Sequence, residues 1–202
     1  MRAFYFGADT ARSLFGVLHE PPRDAGAARA VVVCAPLWRE GIRAHRVLRQ
    51  LAARLAREGH LVLRFDYTGA GNSAGDSEEG DVDVWLGDVD AAVEEVRRGR
   101  GAARVALLGL RFGATLAALA AARRAAVERL VLWEPVVDGA AYLEAGAGEQ
   151  RAWADAYATW RRLPRARVDG AGDEILGFRV PEGMRRSVAS VDLGALPRSA
   201  AR

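Results

Sequence analysis

The chain has 202 residues, half of them apolar, with 29 Lys and Arg against 26 Asp and Glu for a formal net charge of +3. That length suits one domain with a sizeable core, the nearly balanced charge argues against a nucleic-acid partner, and no apolar run approaches the roughly 20 residues of a bilayer-crossing helix. The single cysteine, Cys34, excludes an internal disulfide and a cysteine-based zinc cluster, and with an N-terminus that lacks a secretory layout it predicts a cytoplasmic protein.

In chain order, residues 4–6 and 14–18 flank Gly7-Ala8-Asp9 and predict an opening antiparallel hairpin. Residues 30–35 form a continuous apolar strand stopped by Pro36, the pattern of a strand covered on both faces. A helix is predicted over 42–57, with Ala44, Val47, Leu48, Leu51 and Leu55 on one stripe and Gly59 ending it. Residues 61–65 make a second buried strand, and Asp66 opens a Gly-rich loop that runs to Gly80. The next helix carries Val82, Trp85, Val89, Val93 and Val96 on one face. Residues 105–108 make a third parallel strand that passes through Gly109 into an Ala-rich helix over 112–126, and residues 130–133 make a fourth. Parallel neighbours need crossover helices, so this alternation predicts an α/β fold with a doubly wound, mainly parallel sheet. The expected organisation is a core over 1–139, a helical, aromatic, lid-like segment over 140–179 and an irregular tail over 180–202. Arg97, Arg98 and Arg100, then Arg123 and Arg124, then Arg161 and Arg162, fall near helix ends, where cations offset the helix dipole on solvated faces.

Two segments could carry chemistry. Gly71-Asn72-Ser73-Ala74-Gly75 matches the nucleophile-elbow spacing G-x-S-x-G, but Ser73 is followed by loop residues, without the sharp strand-to-helix turn that an elbow needs. A turn-fixing serine is the expectation there. The segment Leu107-Leu108-Gly109-Leu110-Arg111-Phe112-Gly113-Ala114 has that context, with Arg111 in the central place. A guanidinium stays protonated and is no nucleophile. At a helix N-terminus it predicts either recognition of a carboxylate or phosphate or an internal ion pair, for which Glu40 is the candidate partner. Glu134 and Asp138 follow the fourth strand and read as buried or salt-bridged carboxylates. His19, His45 and His60 all precede Arg111. No metal-ligand or phosphate-loop motif is present, so no metal and no cofactor are expected.

The segments Phe15-Gly16-Val17-Leu18-His19, Phe65-Asp66-Tyr67 with Gly69, Gly71, Ser73 and Gly75, Gly109-Leu110-Arg111-Phe112-Gly113-Ala114 and Leu132-Trp133-Glu134-Pro135-Val136-Val137, with Pro36, Glu40 and Arg46, resemble the serine-aminopeptidase-like α/β-hydrolases. Within them the chain is most similar to the exosortase-A-system-associated hydrolases of bacteria, which also carry arginine at the elbow. The resemblance implies an α/β-hydrolase fold that here lacks the last two strands, which in relatives carry the acid and histidine positions. By position it implies that Leu37 and Phe112 would supply oxyanion-type backbone N–H groups, so that Leu37, Phe112, Arg111 and Glu40 frame the expected pocket for a small anionic or acyl ligand. The expected function is a degenerate hydrolase retained for binding. The alternatives are a weak esterase or peptidase, or an interaction module of an exopolysaccharide system. The strand of Leu130, Val131, Leu132 and Trp133, with no strong strand after it, predicts a homo-oligomer through that edge.

Overall fold

The computed structural model describes residues 1–7, 13–22, 29–123, 127–162 and 173–196. Strand β1 (Arg2–Phe6) pairs antiparallel with β2 (Leu14–His19), setting Phe4 opposite Gly16 and Phe6 opposite Leu14. Ala8 and Asp9, expected in the turn between them, lie outside the described residues, as do Arg124 and the end of the helix predicted to reach 126. The apolar runs then fold as β3 (Arg29–Cys34), β4 (Leu61–Phe65), β5 (Arg104–Leu110) and β6 (Val127–Trp133). The sheet order is β1-β2-β4-β3-β5-β6, parallel from β4 to β6.

Strand β3 is buried over five of its six residues because its alternating side chains feed two cores. Val31 and Val33 pack with Val62, Leu108 and the α1 residues Leu48, Ala52 and Ala56. Ala30, Val32 and Cys34 point into the larger core on the other face. Burial pushes the Cys34 thiol up to about 12, against the pull of the Tyr67 hydroxyl, which makes it an inert strand residue.

Helix α1 (Trp38–Arg57) starts four residues earlier than its periodicity suggests, since the chain turns into it directly after Pro36. Its buried positions are Leu48, Ala52 and Ala56, four apart, while Val47, expected on the buried stripe, is 47% exposed. The two alanines let the helix lie close on the sheet, and that rotates Val47 outward. Helix α2 (Val82–Glu94) is capped by Asp81, whose carboxylate accepts from the Val84 amide at 2.8 Å, and it buries Val82, Trp85, Val89 and Val93 as its spacing predicts. It continues into a π-helical turn, Glu95–Gly99, with Val96 fully buried. Helix α3 (Phe112–Arg123) is buried over most of its length, as an all-apolar helix requires.

Strand β6 ends the sheet, with Val131, Leu132 and Trp133 exposed. Helix α4 (Gly139–Arg161) follows, then a short hairpin of β7 (Glu174–Ile175) and β8 (Phe178–Arg179). Within the tail expected to be irregular over 180–202, residues Glu182–Ala189 form helix α5 and Leu193–Ala195 a 3-10 turn, while 197–202 lie outside the described residues. Met184 and Val188, one helical turn apart, are buried where α5 meets α4, so the order comes from tertiary burial. The same region bonds back to the chain after β6, Gly139 N–H to Val191 O and Leu193 N–H to Val137 O, both at 2.9 Å. No helix among the described residues is long and apolar enough to cross a membrane.

Candidate functional site at the strand ends

The turn from β5 into α3 is the sharpest feature at the C-terminal ends of the parallel strands. Two glycines make it possible. A Cβ on Gly109 would strike the Ala114 backbone, and one on Gly113 would strike the carbonyls of Cys34 and Ala35 at the end of β3. Between them Arg111 takes a left-handed backbone, φ 54°, which costs a non-glycine residue about 1–2 kcal/mol. Its amide donates to the Trp133 carbonyl at 3.0 Å, tying the elbow to the end of β6. Trp38 and Glu134 adopt the same backbone region, φ 51° and 50°, so three strained residues gather where β3, β5 and β6 end.

Arg111 is held by acids. Its Nε donates to Glu40 Oε1 at 2.9 Å, and its Nη1 lies 3.5 Å from Glu134 Oε1. The Tyr142 hydroxyl donates to the second Glu40 oxygen at 3.0 Å. The Trp38 ring stacks on Tyr142, centroids 5.9 Å apart and 9° from parallel, and Phe112 packs against Tyr142 with centroids 5.4 Å apart, tilted by 32°. Burial works against the Arg111 charge, but the hydrogen bond and charge of Glu40, with Glu134 and Tyr142 behind them, raise its pKa above the ordinary value. Burial first, then the neighbouring Glu40 charge, raises the Tyr142 hydroxyl strongly, so it stays a donor. Glu40 sits in the first turn of α1, where a negative charge suits the helix dipole.

The structure therefore brings Arg111 and Glu40 together as the sequence predicts. It adds Tyr142, Trp38 and the Glu134 contact, which no local spacing signals because they come from α4, α1 and the end of β6. Phe112 is fully buried and Leu37 lines a different cavity, so neither side chain faces the small elbow cavity of about 130 Å³ lined by Trp38, Glu40, Arg111, Tyr142 and Leu176. Glu134 is salt-bridged as expected, but it is largely exposed. Asp138 is exposed and pairs with no cation among the described residues: it is the cap of α4, accepting from the Ala141 amide at 2.9 Å.

Ser73 is spoken for. Its hydroxyl accepts from the Phe15 amide at 2.9 Å and donates to the Asp66 carbonyl, which pins the Gly-rich loop to β2. Asp88 on α2, nearly buried, holds the same loop through the Thr68 amide at 2.7 Å and hydroxyl at 2.9 Å.

A second, larger cavity of about 640 Å³ opens between α1 and the ends of β2 and β4, lined by Phe15, Val17, Trp38, Leu48, Arg64 and Tyr67 among others. His45 lines its mouth and is exposed, as a surface histidine on α1 should be. Arg64 donates through Nε to His19 Nε2 at 3.3 Å. His19 is 4% exposed, and burial, helped by the Arg64 charge, lowers its pKa from 6.5 to about 4. The folded chain thus resists a proton that the unfolded chain accepts. His19 should leave stability intact above pH 6.5 and erode it as pH falls toward 4, by roughly 2–3 kcal/mol in total. In urea titrations across that window the His19→Gln variant is expected to lose this part of the pH slope. Parallel slopes for the two proteins would contradict the assignment.

The strand order, the βαβ crossovers and the elbow between β5 and α3 define the α/β-hydrolase fold class. Residues 24–190 match the sequence pattern of the family described as serine aminopeptidase, S33, and the chain belongs to that family. No curated protein matches it. Among solved structures it is similar to an α/β serine hydrolase without a lid from Xanthomonas campestris, at 28% identity and TM-score 0.52, over 60% of this chain and 56% of that one. An α/β serine hydrolase homologue from Coxiella burnetii matches at 20% identity and TM-score 0.53, over 61% and 58%. A Butyrivibrio proteoclasticus protein solved with ferulic acid bound matches at 18% identity and TM-score 0.65, over 95% and 72%. The chain spans little more than half the length of the first two.

Proposed function

We propose that the chain is a catalytically degenerate α/β-hydrolase, of the exosortase-A-system-associated bacterial group that its elbow resembles, and that it works in the cytoplasm by binding a small anionic or acyl ligand. The observation that carries this reading is Arg111 at the nucleophile position, already satisfied by Glu40 and Glu134. A guanidinium cannot attack an acyl carbon. The one serine with elbow-like spacing, Ser73, spends its hydroxyl on the loop. Neutralised by its two acids, Arg111 acts first as a lock between α1 and the elbow, and a small anion reaches it only in competition with Glu40. A second reading, an interaction module, is favoured by the exposed apolar strand β6.

The test is direct. Purified protein is expected neither to turn over p-nitrophenyl acetate above background nor to be labelled by a fluorophosphonate. Turnover that disappears in Ser73→Ala, or a covalent adduct on Ser73, would restore a serine mechanism and overturn the reading.

A further inference from the structure

We propose that the cavity beside α1 binds an amphipathic monocarboxylate, its head paired with Arg64 and its apolar body held among Phe15, Val17, Trp38 and Leu48. The inference places the ligand away from the elbow and stands whether or not Arg111 has ended hydrolysis.

The argument starts from the charge on Arg64. It lies on β4 between buried Leu63 and Phe65, and its side chain reaches the cavity wall. Among the described residues it forms no ion pair: its one hydrogen bond goes to the Nε2 atom of His19, a buried and neutral imidazole that cannot offset the charge. Burial lowers the Arg64 pKa; Asp66 opposes this from a distance and Arg49 reinforces it. The other arginine of the wall, Arg179, is already matched, with Glu78 at 2.5 Å and Asp173 at 2.9 Å. A partly buried guanidinium with no carboxylate in ion-pair contact among the described residues, in a largely apolar cavity of about 640 Å³, is what a ligand carrying one anionic group would complete.

Asp66 narrows the choice. It lines the same wall and is fixed in the loop by the Asn72 amide at 3.0 Å. Its presence penalises a second negative charge on the ligand, which favours a monoanionic carboxylate over a phosphate dianion. The apolar wall supplies the rest of the affinity through burial of hydrocarbon.

Octanoate is the probe, with 1-octanol and octyl phosphate as its neutral and dianionic counterparts. Binding is read by calorimetry and by the fluorescence of Trp38 and Trp85, both of which line the cavity. Octanoate is expected to saturate and to bind about tenfold or more tightly than either counterpart. Arg64→Met is expected to remove that preference. If this variant fails to fold, Ile42→Glu decides: Ile42 lines the cavity and is 70% exposed, so an acid there weakens octanoate by about tenfold more than it weakens octanol and does not touch the core. Saturation with octanoate should also raise the His19 pKa, since the carboxylate offsets the Arg64 field. No saturation at millimolar octanoate, equal binding of octanol, or loss of octanoate binding in Arg111→Gln with Ile42→Glu silent would each overturn the proposal. Ester turnover has no bearing on these outcomes, so this site and the loss of hydrolysis stand or fall separately.

Discussion

Gly113→Ala is expected to destabilise the chain by about 4 kcal/mol or more and to leave little folded protein at 37 °C. The added methyl would meet the carbonyl oxygens of Cys34, the last residue of the central strand β3, and of Ala35 directly after it. A flexible side chain could swing away from such a contact, but backbone at the end of a paired strand has nowhere to go. Helix α3 would have to lift off the sheet, carrying Arg111 away from Glu40. Gly183→Ala is the control: Gly183 lies inside α5 with nothing near its Cβ position, so alanine there should be neutral or stabilise by roughly 0.5–1 kcal/mol. Chemical denaturation of the two variants checks the pair, and equal midpoints would show that the elbow tolerates the methyl.

The second large effect concerns assembly. Strand β6 is the last of its sheet, with Val131 50%, Leu132 38% and Trp133 49% exposed. Among the described residues no strand lies beside its outer backbone groups, and soluble proteins generally cover, charge or pair such an edge. The described part of the tail reaches only the residues just beyond it, through Gly139 and Val137. Helix α4 packs on α5 and β7, and its Trp153 and Trp160 are exposed rather than laid over the edge. Self-association through β6 is therefore expected at micromolar concentration, and Leu132→Lys should convert the assembly to monomer by setting like charges along the edge. Sedimentation velocity reads both states. A wild-type chain that sediments as a clean monomer removes this proposal.

Much of the core was legible because its signals are local. The run Ala30-Val31-Val32-Val33-Cys34 can hide only in a sheet covered on both faces, and the four-residue spacing of Gly109 and Gly113 marks a turn that tolerates no Cβ. Arg111 and Glu40 could be paired in advance because each follows the end of a parallel strand, and adjacent strands bring those ends together. What stayed hidden depends on elements far apart in sequence. Asp88 holding Thr68, Tyr142 holding Glu40, and Arg64 beside His19 are contacts across the fold with no spacing rule. The α5 helix did leave a trace, Met184 and Val188 one turn apart, but two residues are too few to stand out against the arginines and glycine around them. Asp138 reads as a buried or salt-bridged carboxylate from its place after β6, although its position, three residues before the Ala141 amide it caps, marks a helix start.

The bond from the Arg111 amide to the Trp133 carbonyl makes the elbow a reporter on the outermost strand. A second tie runs beside it, from the Thr115 hydroxyl to the Val136 carbonyl at 2.7 Å. Any chain that docks along β6 and stiffens Trp133 must also slow solvent hydrogen exchange at the Arg111 amide, although that amide never touches the newcomer. The elbow would then register, through one proton, whether the edge of the sheet is occupied.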